Sequence, residues 1–209
     1  GWENYDNWDD SEDHGPTTMY FDYANQNITI TLNPGTHNGH KPQETIYLDM
    51  FDQFILNNGA NVTIQLSPSF ANYNVKEVVF RGRVDDNAYF FIKNGSLTLK
   101  GTEQTKLVLD YDIDGDGTAD NTRCPLIWEN PKFDNTTTGS NTQKSLHLEN
   151  VTFRNSTKGA FELRNSYIND VYLKNCTFEK TITNKVTDTY TETGKNDGLN
   201  NDGGMISIL

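Results

Sequence analysis

The chain has 209 residues, of which 34% are apolar, and a formal net charge of −12. Only 17 residues are Lys or Arg, and they are scattered, so a nucleic-acid partner is excluded because phosphate binding needs a basic stripe. No run approaches 18 apolar residues, so we expect no transmembrane segment in this chain. Cys124 and Cys176 lack a CxxC motif, which argues against zinc. A disulfide between them, or two small buried thiols, are the open alternatives.

The first predicted element is an extended arm. Residues 1–19 are acidic, carry Trp2, Tyr5 and Trp8, and show neither helical nor strand periodicity. From Tyr20 onward, short alternating segments bounded by Gly, Asn or Asp predict strands, whereas helical periodicity is nearly absent. The predicted strands cover residues 28–32, 45–50, 62–66, 77–80, 89–92, 97–99 and 106–109. The sequence therefore predicts an all-β fold.

An acidic segment follows the last of these strands. Carboxylates alternate over residues 112–116, Gly117 supplies a sharp turn, and the carbonyl of Thr118 falls where calcium loops use a backbone oxygen. The segment resembles the calcium loops of thrombospondin-type and other extracellular repeats, although Arg123 stands where an EF-hand has Glu. Calcium is the predicted cofactor, and an acidic turn that binds nothing is the alternative. The predicted ligands are Asp110, Asp112, Asp114, Asp116, Thr118 and Asp120.

A repeat near the C-terminal end gives the fold its most specific prediction. Residues 146–153 (LHLENVTF) and 172–178 (YLKNCTF) share the pattern L-x-N-x-T-F at an offset of 25 residues. Residues 161–165 and 97–101 echo the first half, with Gly101 in the position of the Asn. A period near 25 is typical of solenoids, in which one rung cannot bury its own core. We expect Leu148 and Leu173 to stack inward, and Asn150 and Asn175 to form a hydrogen-bonded ladder at a bend.

The same motifs resemble a known group of proteins. The L-x-N-x-T-F pattern, residues 153–155 (FRN) and residues 203–206 (GGMI) are similar to repeats of bacterial polymorphic outer-membrane proteins and of adhesin-like β-helix proteins of methanogenic archaea. Residues 30–36 (ITLNPGT) resemble an opening turn of such β-helices. The resemblance covers mainly residues 95–209. It implies a right-handed parallel β-helix with a surface role.

These observations predict three regions. Residues 1–19 form the arm, residues 20–75 an N-terminal cap with the first strands, and residues 76–209 the β-helix. Polar insertions fall near residues 110–144 and 181–203, and they either carry binding or are passive loops. The apolar C-terminal strand at residues 205–209 is predicted to be an uncapped edge, to be continued by more rungs or by another subunit.

Glycosylation sequons are in mild excess and suggest an external location. Asn150 and Asn175 lie in sequons but are assigned to the ladder. The predicted acceptors are Asn27, Asn61, Asn94, Asn135 and Asn155.

The predicted function is a non-catalytic structural or adhesive role at a cell surface, as a glycoprotein or as a subunit of a sheath or filament. Its expected partners are other copies of itself or cell-surface glycans. The alternative is a carbohydrate-active enzyme, a polysaccharide lyase or glycoside hydrolase. The nearest catalytic candidates, Arg81, Arg83, Asp85 and Asp86, also fit a salt-bridged turn, and the four His residues match no nucleophile motif.

Overall fold

The structure, a computed structural model, is built from short strands. It describes residues 19–21, 26–35, 44–50, 53–82, 88–93, 95–112, 125–129, 145–156, 159–164, 170–179 and 206–208. In chain order the strands are β1 (Met19–Phe21), β2 (Asn27–Leu32), β3 (Thr45–Met50), β4 (Phe54–Leu56), β5 (Ala60–Leu66), β6 (Glu77–Gly82), β7 (Phe90–Ile92), β8 (Gly95–Lys100), β9 (Lys106–Asp110), β10 (Leu126–Glu129), β11 (Ser145–Glu149), β12 (Val151–Arg154), β13 (Phe161–Arg164), β14 (Asp170–Lys174), β15 (Thr177–Glu179) and β16 (Ile206–Ile208).

The strands form three parallel sheets. Sheet A has the order β1-β4-β7-β10-β13-β16, sheet B the order β2-β5-β8-β11-β14, and sheet C the order β3-β6-β9-β12-β15. Each turn of the chain therefore visits sheets B, C and A, and then moves one strand along all three. This arrangement is a parallel β-helix, and it confirms the predicted fold class. Parallel crossovers are right-handed by general rule, and we expect the same sense here.

The core consists of columns of apolar side chains that run along the axis. In sheet B, Leu97 and Leu99 pair with Leu146 and Leu148 and are fully buried. In sheet C, Phe153 stacks on Phe178, with ring centroids 5.6 Å apart and an interplanar angle of 8°. Because alternate side chains point to opposite faces of a strand, each strand contributes every second residue to these columns, up to four in β5. Burial therefore depends on neighbouring rungs, as solenoid physics requires.

The β-helix begins earlier than the sequence predicted. Strands β1 to β5 lie in the same three sheets as the later strands, so the regular coil extends well before residue 76. The predicted cap at residues 20–75 therefore contains rungs of the solenoid. The arm predicted at residues 1–19 lies almost entirely outside the described residues.

One predicted echo is wrong and another is confirmed. Phe161–Arg164 lies in sheet A and pairs with β10, whereas the sequence aligned it with β11 of sheet B. The upstream echo at residues 97–101 is correct, because β8 pairs with β11 in the predicted register.

A single short 3-10 helix, Pro68–Tyr73, occurs among the described residues, in the connection between β5 and β6. In this part of the chain, no helix has the length and apolar character needed to cross a membrane.

Candidate functional site

The bend between sheets B and C contains the predicted asparagine ladder. Asn150 follows β11 and Asn175 follows β14, with φ angles of 55° and 52°. Asn tolerates this left-handed conformation better than most residues. The Nδ2 of Asn175 donates to the Oδ1 of Asn150 at 3.4 Å, and the same oxygen accepts a bond from Lys106 Nζ at 3.0 Å. The predicted ladder is thus confirmed, and it joins two rungs through their side chains.

Gly101 occupies the same bend one rung earlier. Its N–H donates to the Glu149 carbonyl, just as the N–H of Asn150 donates to the Lys174 carbonyl. A Cβ at residue 101 would lie 2.4 Å from the carbonyl oxygen of Asn150. Close approach between rungs therefore explains why Gly stands where the later rungs have Asn.

A partly buried ion pair lies at the end of sheet C. Arg154 Nε donates to Asp110 Oδ2 at 2.8 Å, and Asn155 Nδ2 donates to Asp110 Oδ1 at the same distance. The backbone N–H of Asp112 also donates to Asp110 Oδ1, at 3.0 Å. The Arg154 guanidinium lies 3.4 Å from a Glu77 carboxylate oxygen. Although burial opposes its charge, the hydrogen bond to Asp110 helps to raise the pKa of Arg154 above its usual value.

This arrangement bears on the predicted calcium loop. Both carboxylate oxygens of Asp110 accept hydrogen bonds, and the residue is only 6% exposed. A cation at Asp110 would have to displace Arg154 and Asn155, so Asp110 fits an anchoring role better than a ligand role. A loop that begins at Asp112 keeps the predicted donor chemistry. The remaining predicted ligands, Asp114, Asp116, Thr118 and Asp120, lie outside the described residues.

Within the described ranges, no group of three or more His, Cys, Asp or Glu residues could hold a metal ion. Calcium therefore stays a prediction from the sequence of residues 112–120.

The outer face of sheet B presents three polar rows that run across its five strands. The two flanking rows are joined internally. Asn61 Nδ2 donates to Asn27 Oδ1 at 3.0 Å, and Gln65 Nε2 donates to Thr31 Oγ1 at 3.0 Å. Further along, Glu149 accepts from Lys174 at 2.7 Å and lies 3.1 Å from the Lys100 nitrogen. Hydrogen bonding to Lys174, and then to Lys100, lowers the pKa of Glu149.

The middle of this face is the central row, defined by the aligned residues Thr29, Thr63, Thr98, His147 and Tyr172. Among the described residues, its three threonine hydroxyls make no side-chain hydrogen bond, and His147 Nε2 finds no partner. The His147 and Tyr172 rings meet at a centroid distance of 4.3 Å. The sequence pattern did not reveal this row, although its threonines recur every 34 to 35 residues.

The C-terminal edge is defined here as β14, β15 and β16, the last strand of each sheet among the described residues. Val171 and Leu173 continue the inward columns of Leu146 and Leu148. They are 38% and 37% exposed, whereas both residues in the preceding rung are fully buried. The apolar interior of the coil thus reaches the surface at this edge.

The predicted modification sites have different environments. Asn155 is 6% exposed and its Nδ2 is bonded to Asp110, so a glycan there is incompatible with this packing. The Nδ2 of Asn61 is held by Asn27, whereas Asn27 itself is exposed. Asn94 and Asn135 lie outside the described residues.

The Cys176 thiol is free in this structure, and Cys124 lies outside the described residues. Burial raises the pKa of the Cys176 thiol, and its Sγ lies 3.5 Å from the Leu148 carbonyl oxygen. Cys176 therefore matches the alternative of a small, partly buried side chain at the edge of the core.

The residues considered for catalysis are only partly described. The Arg81 guanidinium lies 4.6 Å from the centre of the Tyr47 ring, a cation–π contact. Arg83, Asp85 and Asp86 lie outside the described residues.

The chain matches no protein-family model, no curated protein and no solved structure. The fold defines its class as a parallel β-helix. The resemblance to polymorphic outer-membrane proteins and archaeal adhesin-like proteins stays a prediction from short motifs.

Proposed function

We propose that this chain is a non-catalytic structural and adhesive protein of the cell exterior, whose solenoid joins a second copy end to end. The observation that carries this proposal is the exposure of the inward-facing Val171 and Leu173 at the C-terminal edge. Burial of apolar surface is the main favourable term in association. Edge strands also offer unpaired backbone groups to a further strand.

The opposite edge supports a second copy as the occupant. In the described part of the chain, β2 and β3 are the first strands of sheets B and C. Their inward residues Ile28, Ile30, Ile46 and Leu48 are only partly buried. Ile28 and Ile30 stand in the same columns as Val171 and Leu173. A second copy stacked in register would therefore continue both columns with aliphatic contacts. Such a head-to-tail contact does not close on itself when the rotation is that of a solenoid, and it builds filaments.

The side chains between rungs support a structural role. The Asn150–Asn175 bond, the Lys100–Glu149–Lys174 chain and the Arg154–Asp110 pair each connect neighbouring strands of one sheet. Their polar groups hold the coil together, which suits a stiff rod. The external location is part of the proposal, supported by the sequon excess and the motif resemblance.

End-to-end assembly can be tested with the full chain by light scattering after size exclusion, over a range of concentrations. We expect the wild-type mass to rise with concentration and negative-stain images to show linear stacks. Leu173→Gln should shift the protein towards monomer. Lys76→Gln is the control, because Lys76 is exposed and precedes β6, away from the C-terminal edge.

Thermal melts would confirm that both variants fold. A wild-type protein that is monomeric at every concentration would contradict the proposal, and so would equal behaviour of the two variants. If Leu173→Gln did not fold, Val171→Thr would replace it as the edge variant.

A further inference from the structure

We propose that the central row of sheet B binds a neutral, linear glycan that lies along the solenoid axis. This inference deepens the adhesive part of the proposed function and rests on it. It names a binding surface, residues Thr29, Thr63, Thr98, His147 and Tyr172, and the chemical class of its ligand.

The first support is the uncommitted hydrogen-bonding capacity of the row. Strands in a sheet are about 4.8 Å apart, so Thr29, Thr63 and Thr98 place three hydroxyls at regular intervals. Each hydroxyl is both donor and acceptor, and none bonds another side chain in the described part of the molecule. A ligand that carries hydroxyl groups at regular intervals can form a hydrogen bond with each threonine in turn.

The second support is independent and lies at the other end of the row. His147 Nε2 is a buried polar atom without a hydrogen-bond partner, and buried polar atoms are usually satisfied. Beside it, the Tyr172 ring is 42% exposed and packs against the His147 ring. The exposed Tyr172 ring and its hydroxyl offer apolar and polar contact together, whereas the buried Nε2 is reached only after the side chains that cover it move. Both features point to a ligand that is part apolar and part hydroxylated, as a sugar ring is.

The third support is rigidity. The rows on both sides are fixed by the Asn27–Asn61, Thr31–Gln65 and Lys100–Glu149–Lys174 contacts. The central row therefore lies on a sheet face that needs little ordering on binding, which lowers the cost of association.

Charge and shape select the ligand class. Near Tyr172 the side chains of Lys100 and Lys174 are balanced by Glu149 and by the exposed Asp170, so the surface favours a neutral chain. The net charge of −12 disfavours a nucleic acid. A peptide strand would add at a sheet edge, whereas this row lies on a sheet face.

The test measures retention of the full chain on immobilised polysaccharides. Two neutral supports, a β-glucan and a mannan, are compared with two acidic supports, polygalacturonate and hyaluronan. We expect retention on at least one neutral support that is insensitive to salt. Tyr172→Ala and Thr98→Val should each weaken that retention, by about tenfold for the ring. The matched controls are Tyr20→Ala, an exposed tyrosine in sheet A, and Thr177→Val, an exposed threonine in sheet C.

No retention on any support would overturn the inference. So would retention only on the acidic supports that salt abolishes, or equal losses in the central-row and control variants. Light scattering on Thr98→Val separates this inference from the proposed assembly. If Thr98→Val assembles normally but is no longer retained on the glycan support, the central row is supported as the glycan site. If the wild type is retained normally but is monomeric, only the proposed end-to-end assembly is rejected.

Discussion

The side-chain amides of Asn150 and Asn175 meet at 3.4 Å across 25 residues of sequence, and both residues have left-handed backbones. Each Asn therefore serves two purposes at once. It allows the sharp bend between sheets B and C, and its side chain bonds to the next rung. This dual use is why Asn, rather than Gly, suits the bend in the rungs that follow Gly101.

Replacing Asn150 separates these two roles. Asn150→Ala places alanine, whose side chain cannot form a local hydrogen bond, in the left-handed backbone region. It also removes the oxygen that accepts hydrogen bonds from Lys106 and Asn175. We expect a loss of about 2–3 kcal/mol in the free energy of unfolding. Asn150→Gly keeps the bend and should lose only about 1 kcal/mol. Urea unfolding measures both.

Asn175→Ala tests whether the loss of stability depends on where the Asn lies along the coil. Asn175 lies at the C-terminal edge and is exposed, whereas Asn150 is 3% exposed. The Asn175 variant should therefore lose less stability than the Asn150 variant. Equal losses for Asn150→Ala and Asn150→Gly would show that the backbone conformation contributes nothing.

Asp110 and the acidic loop should respond differently to calcium. Asp110→Asn removes the nearer of the two carboxylates that pair with Arg154 and is expected to cost about 2–3 kcal/mol, because the partly buried guanidinium keeps only its longer contact with Glu77. This loss should be the same with calcium and with chelator. Asp114→Asn and Asp116→Asn should instead abolish any calcium-dependent rise in melting temperature while leaving the chelated protein unchanged.

Calorimetric titration of the wild type and the three variants would complete that comparison. Calcium binding that disappears in Asp110→Asn but persists in Asp114→Asn would make Asp110 a ligand after all. The absence of any response to calcium or chelator in the wild type would reject the calcium prediction.

The sequence revealed the fold where successive rungs have equal length. Paired residues of β11 and β14 are 25 apart, and no long insertion separates them, so Leu148 and Leu173 align by eye. Between β8 and β11 the offset is 49 residues, and between β2 and β5 it is 34. Because the loops between strands differ in length, the sequence offset varies from rung to rung although the strands stack regularly in space. The first rungs were therefore assigned to a cap rather than to the coil.

Whether a contact between rungs could be predicted depended on whether the same residue type recurs in both rungs. The ladder at Asn150 was predictable because a bend residue and its repeat share one type. The contact of Arg154 with Asp110 spans 44 residues and depends on register between β9 and β12, which local pattern does not specify. The central row was hidden for the same reason, since its members change from Thr to His and Tyr along the axis.

Glycosylation should distinguish the exposed sequon from the buried one. In a host that glycosylates secreted proteins, we expect the peptide with Asn27 to carry glycan and the peptide with Asn155 to be bare. Asn27 is exposed, whereas the Asn155 nitrogen is bonded to Asp110. Peptide mass spectrometry measures both occupancies. Full occupancy at Asn155 in folded protein would contradict the packing around Asp110.

The ion pairs that link Lys100, Glu149 and Lys174 across sheet B should stabilise the fold only within a limited range of pH. The pKa of Glu149 is lowered from 4.5, so its stabilising contribution is complete above the unfolded pKa and is lost as pH falls through the folded pKa. The pKa of Lys174 is raised from 10.5, mainly by its hydrogen bond to Glu149. Its contribution is complete below the unfolded pKa and is lost as pH rises through the folded one.

Carboxyl NMR titration tests this assignment one partner at a time. Lys174→Met should raise the pKa of Glu149 towards 4.5, and Lys100→Met should raise it by a smaller amount, because Lys174 makes the stronger contribution. Lys76→Met is the control, since Lys76 is an exposed residue that precedes β6 of sheet C. Both lysines are exposed, so high salt should weaken the shift in the wild type. A Glu149 pKa at or above 4.5 in the wild type, or an equal change in the Lys76 variant, would contradict this assignment. It would mean that Lys100 and Lys174 do not stabilise the Glu149 carboxylate.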